Sequence, residues 1–215
     1  PAGGSIIVCD GTYNENVTVW KPVSIWSQNG ASKTTVQTNR GDRNTFTITA
    51  SNVSLSGFTI KHVTDLFGAG VSLEGVSGCV ITGNVIMDND YGIYVSGSSS
   101  KNVLQENECK GNSNGIYVEG SQNHLTGNIV HGNSAPIGSA IFLSGTASGN
   151  RLRFNSITTD PGSTFAATAQ VLNQNTAEEV SATENWWGDV NGPRNAGGQG
   201  PLLGDKISYT PWLTV

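Results

Sequence analysis

The sequence predicts an all-β chain folded as a parallel β-helix, a solenoid of roughly eight or nine coils, and three observations carry that prediction. The first is an asparagine that returns at one place in a repeated phrase. Residues 80–86, 103–109, 124–130 and 151–157 are four copies, anchored on Asn84, Asn107, Asn128 and Asn155, and Asn185 marks a degraded fifth. The anchors fall 23, 21, 27 and 30 residues apart, a period at which each unit buries its apolar side only by stacking on the next. The second is the constancy of the flanks. Ile81, Leu104, Leu125 and Leu152 stand three residues before the anchor, and Ile86, Cys109, Val130 and Ile157 two after it. The third is a short alternating run that closes each unit, at residues 70–73, 92–95, 115–118 and 140–143.

The elements follow in chain order. Residues 5–9, 17–19, 23–25, 35–36 and 46–48 are short alternating strands separated by turn signals. Residues 53–63 fit the repeat, with Phe58 in the asparagine slot, Leu55 before it and Ile60 after it. In the full repeats a second polar ladder, Asn89, Asn112, Asn133 and then Asp160, stands five after the anchor. A third, Asn102, Asn123 and Asn150, stands five before it, with Cys79 in the earlier slot. Asparagine suits such bends because it tolerates left-handed backbone angles and its amide can bond the same residue one coil away. In the closing strands, period two sets Val71, Ile93, Ile116 and Ile141 inward, and Ser72, Tyr94, Tyr117 and Phe142 outward. No stretch has a helical period. At about 4.8 Å per coil the rod is roughly 40 Å long. Insertions at 64–69, 134–139 and 161–168 are the expected non-scaffold surfaces.

The 215 residues read as one domain, 1–215, in which 186–215 form a capping segment marked by Trp186, Trp187, Pro211 and Trp212. Residues 1–4 are too short to cap the other end, so either a preceding segment is missing or the first coil is covered by another molecule. An open end recruits other strands, so self-association through the coil ends is one expected partnership. Lys and Arg number 11 against 16 Asp and Glu, which leaves no basic footprint for nucleic acid. No apolar run is long enough for a membrane span. The polar, weakly charged, β-rich composition favours an extracellular or cell-surface setting. Cys9, Cys79 and Cys109 permit at most one disulfide, and their different registers argue against one. Sequons occur at Asn16 and Asn52, matches expected by chance in a chain this rich in Asn, Ser and Thr.

Residues 7–17, with Cys9-Asp10-Gly11-Thr12-Tyr13, and the closing Asn185-Trp186-Trp187-Gly188-Asp189, Gly192-Pro193 and Tyr209-Thr210-Pro211-Trp212 resemble the right-handed parallel β-helix repeats of the pectin-lyase-like superfamily. The branch is the one with periplasmic copper-processing proteins, carbohydrate-binding and sugar-hydrolase domains, and microbial cell-surface proteins. The resemblance covers essentially the whole chain and implies the fold. It does not imply an activity, because the repeat serves enzymes, binders and structural proteins alike.

The outward row Tyr94, Tyr117 and Phe142 is the foremost candidate site. Rings one coil apart can form an apolar strip for sugar rings, with Asp88 and Asp90 at the bend before Tyr94 and Glu74 and Glu119 flanking it. The competing reading is a ladder of aromatics that stabilises the solenoid and meets no ligand. Glu74 and Glu119 are also the weak catalytic candidates, two coils or roughly 9.6 Å apart, near the upper separation in inverting glycosidases. The signatures that the resemblance would require of pectin hydrolases (Asn-Thr-Asp, Gly-His-Gly, Arg-Ile-Lys) are missing, as are a lyase's calcium carboxylates and an epimerase's Asp-Pro-His-Asp. His62, His124 and His131 fall in three registers and make no ligand ladder, and the run from Asp189 is a turn rather than a calcium loop. No metal or cofactor is expected. The reading is a non-catalytic surface module, structural or adhesive, that contacts polysaccharide or assembles with itself. The alternative is a polysaccharide-acting enzyme.

Overall fold

The computed structural model describes residues 3–38, 44–61, 68–133, 139–158 and 170–214. Among the described residues three parallel sheets form the solenoid, and each complete coil gives one strand to each. The first sheet has nine strands, in the order Gly4–Val8, Val23–Ser27, Ser54–Ser56, Val80–Thr82, Val103–Gln105, His124–Thr126, Arg151–Arg153, Val180–Ser181 and Ile207–Ser208. The second, from Gly11–Asn14 to Ser156–Ile157, and the third, from Val17–Val19 to Val171–Asn173, have seven each among the described residues. The solenoid therefore has about seven complete coils, with the first sheet extending to the nine expected as an upper count. The insertions at 64–67, 134–138 and 161–168, together with His62 and Asp160, lie outside the described residues.

Register follows from the repeated phrase. Ile81 pairs with Leu55 and Leu104, and Leu104 in turn with Leu125, so that one inward row threads the first sheet. Ile60, Ile86, Cys109 and Val130 make the inward row of the second sheet, and Val71, Ile93, Ile116 and Ile141 that of the third. All twelve are fully buried. Three walls thus meet in one continuous apolar core, the main source of stability in a solenoid.

The asparagine ladders run inside the bends. The Phe58 amide donates to Asn84 Oδ1 at 3.0 Å, and Asn84 donates through its backbone and side-chain amides to Asn107 Oδ1 at 3.2 and 3.1 Å. The pattern repeats from Asn107 to Asn128, Asn128 to Asn155 and Asn155 to Asn185. Asn89, Asn112 and Asn133 form the second ladder. In the third, the Cys79 amide donates to Asn102, which donates to Asn123 and on to Asn150. Each oxygen satisfies donors of the previous coil. The amide nitrogens also cap buried carbonyls, as Asn107 does for Ile81 O at 2.8 Å.

One expectation is corrected. The left-handed residue of the bend is not the asparagine but the one before it. Gly83, Glu106, Gly127, Phe154 and Glu184 precede the anchors, with φ between 55° and 66°. Asp88 at φ 56° and Lys101 at φ 57° play the same part before Asn89 and Asn102. The asparagine stays because its amide can both accept and donate along the axis. The left-handed step is taken by whichever residue precedes it, at a cost when that residue has a Cβ.

Candidate functional site

The outward row of the third sheet is brought together by register. Tyr94 pairs with Ser72 and Tyr117, and Tyr117 with Phe142, which pairs with Leu172. The Tyr117 and Phe142 rings lie 4.5 Å apart and 11° from parallel. Rings at that distance overlap face to face, because edge-to-edge neighbours in one plane would be held farther apart. These two rings are therefore stacked rather than laid side by side as a flat apolar strip. Tyr94 joins them at 5.8 Å and 35° from Tyr117.

A fourth ring, missed in the sequence, completes the cluster. Tyr91 lies 4.9 Å from Tyr117 and 5.8 Å from Tyr94. Strict alternation would separate residues 91 and 94 onto opposite faces. Gly92 breaks the alternation: a Cβ there would fall 2.4 Å from Gly115 O and 3.0 Å from the Asn112 amide. The repeated glycine next to the second ladder, at 92 and 115, was the available signal.

The acids separate into two groups. Glu119 belongs to the cluster, because Tyr94 Oη donates to its Oε2 at 2.8 Å from the preceding coil. Asp90 lies beside Tyr91, and its charge acts on that phenol. Glu74 shares a row with Ser96 and Glu119, but its carboxylate accepts from Ser72 at 3.0 Å and is exposed. Asp88 is exposed at its left-handed bend. Burial, followed by the charges of Asp90, Tyr117 and Glu119, pushes the Tyr91 phenol up to about 12. Burial and the Glu119 hydrogen bond raise Tyr94 further, and burial with the Glu119 charge raises Tyr117. At neutral pH the cluster presents protonated phenols beside carboxylates. It is built for hydrogen bonding rather than for proton abstraction by a phenolate.

Elsewhere, Glu108 on the second sheet accepts from Lys110 at 2.7 Å and pairs with His131 at 3.2 Å. The Lys110 bond first, and His131 second, hold its carboxyl below the usual range against the opposing effect of burial. His124 lies on the first sheet beside Val103 and Arg151. Cys79 and Cys109 are buried, Cys9 is exposed, and all three are free thiols. At the first coil Ile6 and Ile7 are exposed, and a cavity of about 240 Å³ is lined by Ile6, Val8, Tyr13, Val17, Ile25 and Phe46, among others. In the last coils Trp187 is fully buried, and Tyr209 and Trp212 pack against the core 6.4 Å apart.

A family profile described as "Periplasmic copper-binding protein (NosD)" matches residues 3–191. A cell surface glycoprotein of Methanothermus fervidus is 36% identical over 95 residues, 44% of this chain and 14% of that protein. The match thus spans only a small part of the relative's length. Among solved structures, an alginate lyase from Paenibacillus sp. str. FPU-7 superposes with a TM-score of 0.67 at 14% identity, over 86% of this chain and 80% of the lyase. That likeness shows the fold alone. The A-module of the Azotobacter vinelandii mannuronan C-5 epimerase AlgE4 reaches only 0.35, at 14% identity over 96% of this chain and 86% of that one. The family and the relative together place the chain in an extracellular or cell-surface setting.

The family description raises the question of copper, whose sites use sulfur and imidazole ligands. The described residues do not fit one. Cys79 and Cys109 are enclosed in the apolar core, and Met87 and His131 share a second-sheet row with the Lys110 side chain between them. No group of three or more His, Cys, Asp or Glu among the described residues is placed to hold a metal ion. No step is assigned to a metal here. With its profile matched over most of its length, the chain belongs to the NosD family.

Proposed function

We propose that this chain is a non-catalytic adhesive module of the cell surface that contacts glycan through Tyr91, Tyr94, Tyr117, Phe142 and Glu119. The observation that supports this reading is the cluster itself. Four partly exposed aromatic rings and a carboxylate are gathered on one outward face, with a phenol pinned to that carboxylate across a coil boundary. Sugars offer both hydroxyls and apolar C–H faces, and an amphipathic cluster of rings, hydroxyls and carboxylate matches that mixture. The buried ladders make the support rigid, so little ordering free energy is lost on contact.

The test is a glycan array probed with the wild-type chain and a Tyr94→Ala/Tyr117→Ala double variant, each checked for folding by circular dichroism. Binding that the folded double variant loses supports the strip. Equal binding by both proteins removes it. Slow degradation of a bound polysaccharide, abolished in Glu119→Gln, would replace this reading with the enzymatic one.

A further inference from the structure

We infer that the third-sheet cluster recognises ammonium groups, and that its glycan is an amino-sugar polymer carrying protonated amines. This rests on the glycan-contact reading above and names the class of sugar.

Among the described residues at the cluster, the charge has one sign. Asp90 and Glu119 lie at it, and Glu74 lies on the row of Glu119 two coils back. The described segments 44–51, 68–76, 88–98, 111–121 and 139–148, which carry the third-sheet strands and their flanks around the cluster, contain no Lys, Arg or His. On the second sheet, Lys110 is bonded to Glu108. A polymer of sugar acids would bring carboxylates to a face whose charged groups, among the described residues, are carboxylates. A polymer of amino sugars brings the opposite charge.

Hydrogen-bond direction selects in the same sense. An ammonium group has three donors and no acceptor, and an ionised carboxylate accepts only. Tyr94 already donates its hydroxyl hydrogen bond to Glu119 Oε2 at 2.8 Å. Its phenol oxygen is therefore left as an acceptor beside a second acceptor, an arrangement suited to N–H donors from a ligand. A carboxylate ligand finds that phenol's donor already used.

The experiment is isothermal titration calorimetry of the full chain at mildly acidic pH with three oligosaccharides of equal length. One is a glucosamine oligomer, one its fully N-acetylated counterpart, and one an oligouronate. The glucosamine oligomer is expected to bind about tenfold more tightly than the acetylated one, a preference that shrinks in added salt. Glu119→Gln, a near-isosteric change at a partly exposed position, is expected to erase the preference for the amine. Equal affinity for the amine and its acetylated counterpart, tightest binding of the oligouronate, or an unchanged preference in Glu119→Gln overturns the amine inference but leaves glycan contact standing. Binding of none of the three removes the glycan reading itself.

Discussion

Tyr94 Oη and Glu119 Oε2 are 2.8 Å apart although 25 residues separate them, because Tyr94 stands one coil before Tyr117 and Glu119 follows Tyr117 by two. The bond ties neighbouring coils on the outer surface, where the inner ladders do not reach. It also puts a negative charge beside three phenols, and the alkaline behaviour of the protein should show it.

Stability is expected to fall in the alkaline range because of these phenols. Tyr91 moves from 10.0 to about 12 on folding. Below pH 10 the phenol is protonated in both folded and unfolded chains, and its contribution is whole. Between about 10 and about 12 the unfolded chain loses the proton first, so stability declines as the pH rises through the folded value. Urea unfolding followed across that range checks this, and Glu119→Gln should lower the pH at which Tyr94 and Tyr117 ionise in a phenolate absorbance titration.

Asn107→Ala should cost about 3 kcal/mol or more, because it strips partners from buried groups of the preceding coil. The Asn84 amides lose their acceptor, and Ile81 O loses its donor. Asn107→Asp should also destabilise the fold, since it keeps the acceptor but removes the donor and buries a charge. Chemical denaturation of both variants measures the effect, and a loss under about 1 kcal/mol for Asn107→Ala would contradict the ladder's role.

Two glycine replacements should differ sharply. Gly92→Ala drives a Cβ to 2.4 Å from Gly115 O, backbone that cannot yield, and is expected to cost more than about 3 kcal/mol. Gly83→Ala has nothing within 4 Å of its new carbon and meets only its φ of 63°, a cost of about 1 kcal/mol. Comparative thermal melts separate the two.

Cysteine reactivity should follow burial. Cys9 is exposed, whereas Cys109 is enclosed and burial pushes its thiol up to about 12, with the Glu108 charge adding to the shift. Burial also raises the Cys79 thiol. A thiol reagent should therefore label Cys9 alone in the native protein and all three cysteines in denaturant. Rapid native labelling of Cys109 would show that its coil opens readily.

The sequence by itself determined the coil period, the inward rows and the ladder positions. Parallel strands stack at one fixed spacing, so a side chain repeated at one slot must meet its copy in the next coil, as Asn84 meets Asn107 and Ile93 meets Ile116. Backbone register carries that information, and register is legible in repetition. Tertiary structure decided what the outer face presents: the Tyr117 and Phe142 rings face each other, Tyr91 swings onto their side at Gly92, Tyr94 reaches Glu119, and the left-handed step falls one residue before each anchor. Those outcomes depend on rotamers and crowding between coils. Side chains packed at the strand spacing settle them in three dimensions, where repetition along the chain records only who the neighbours are.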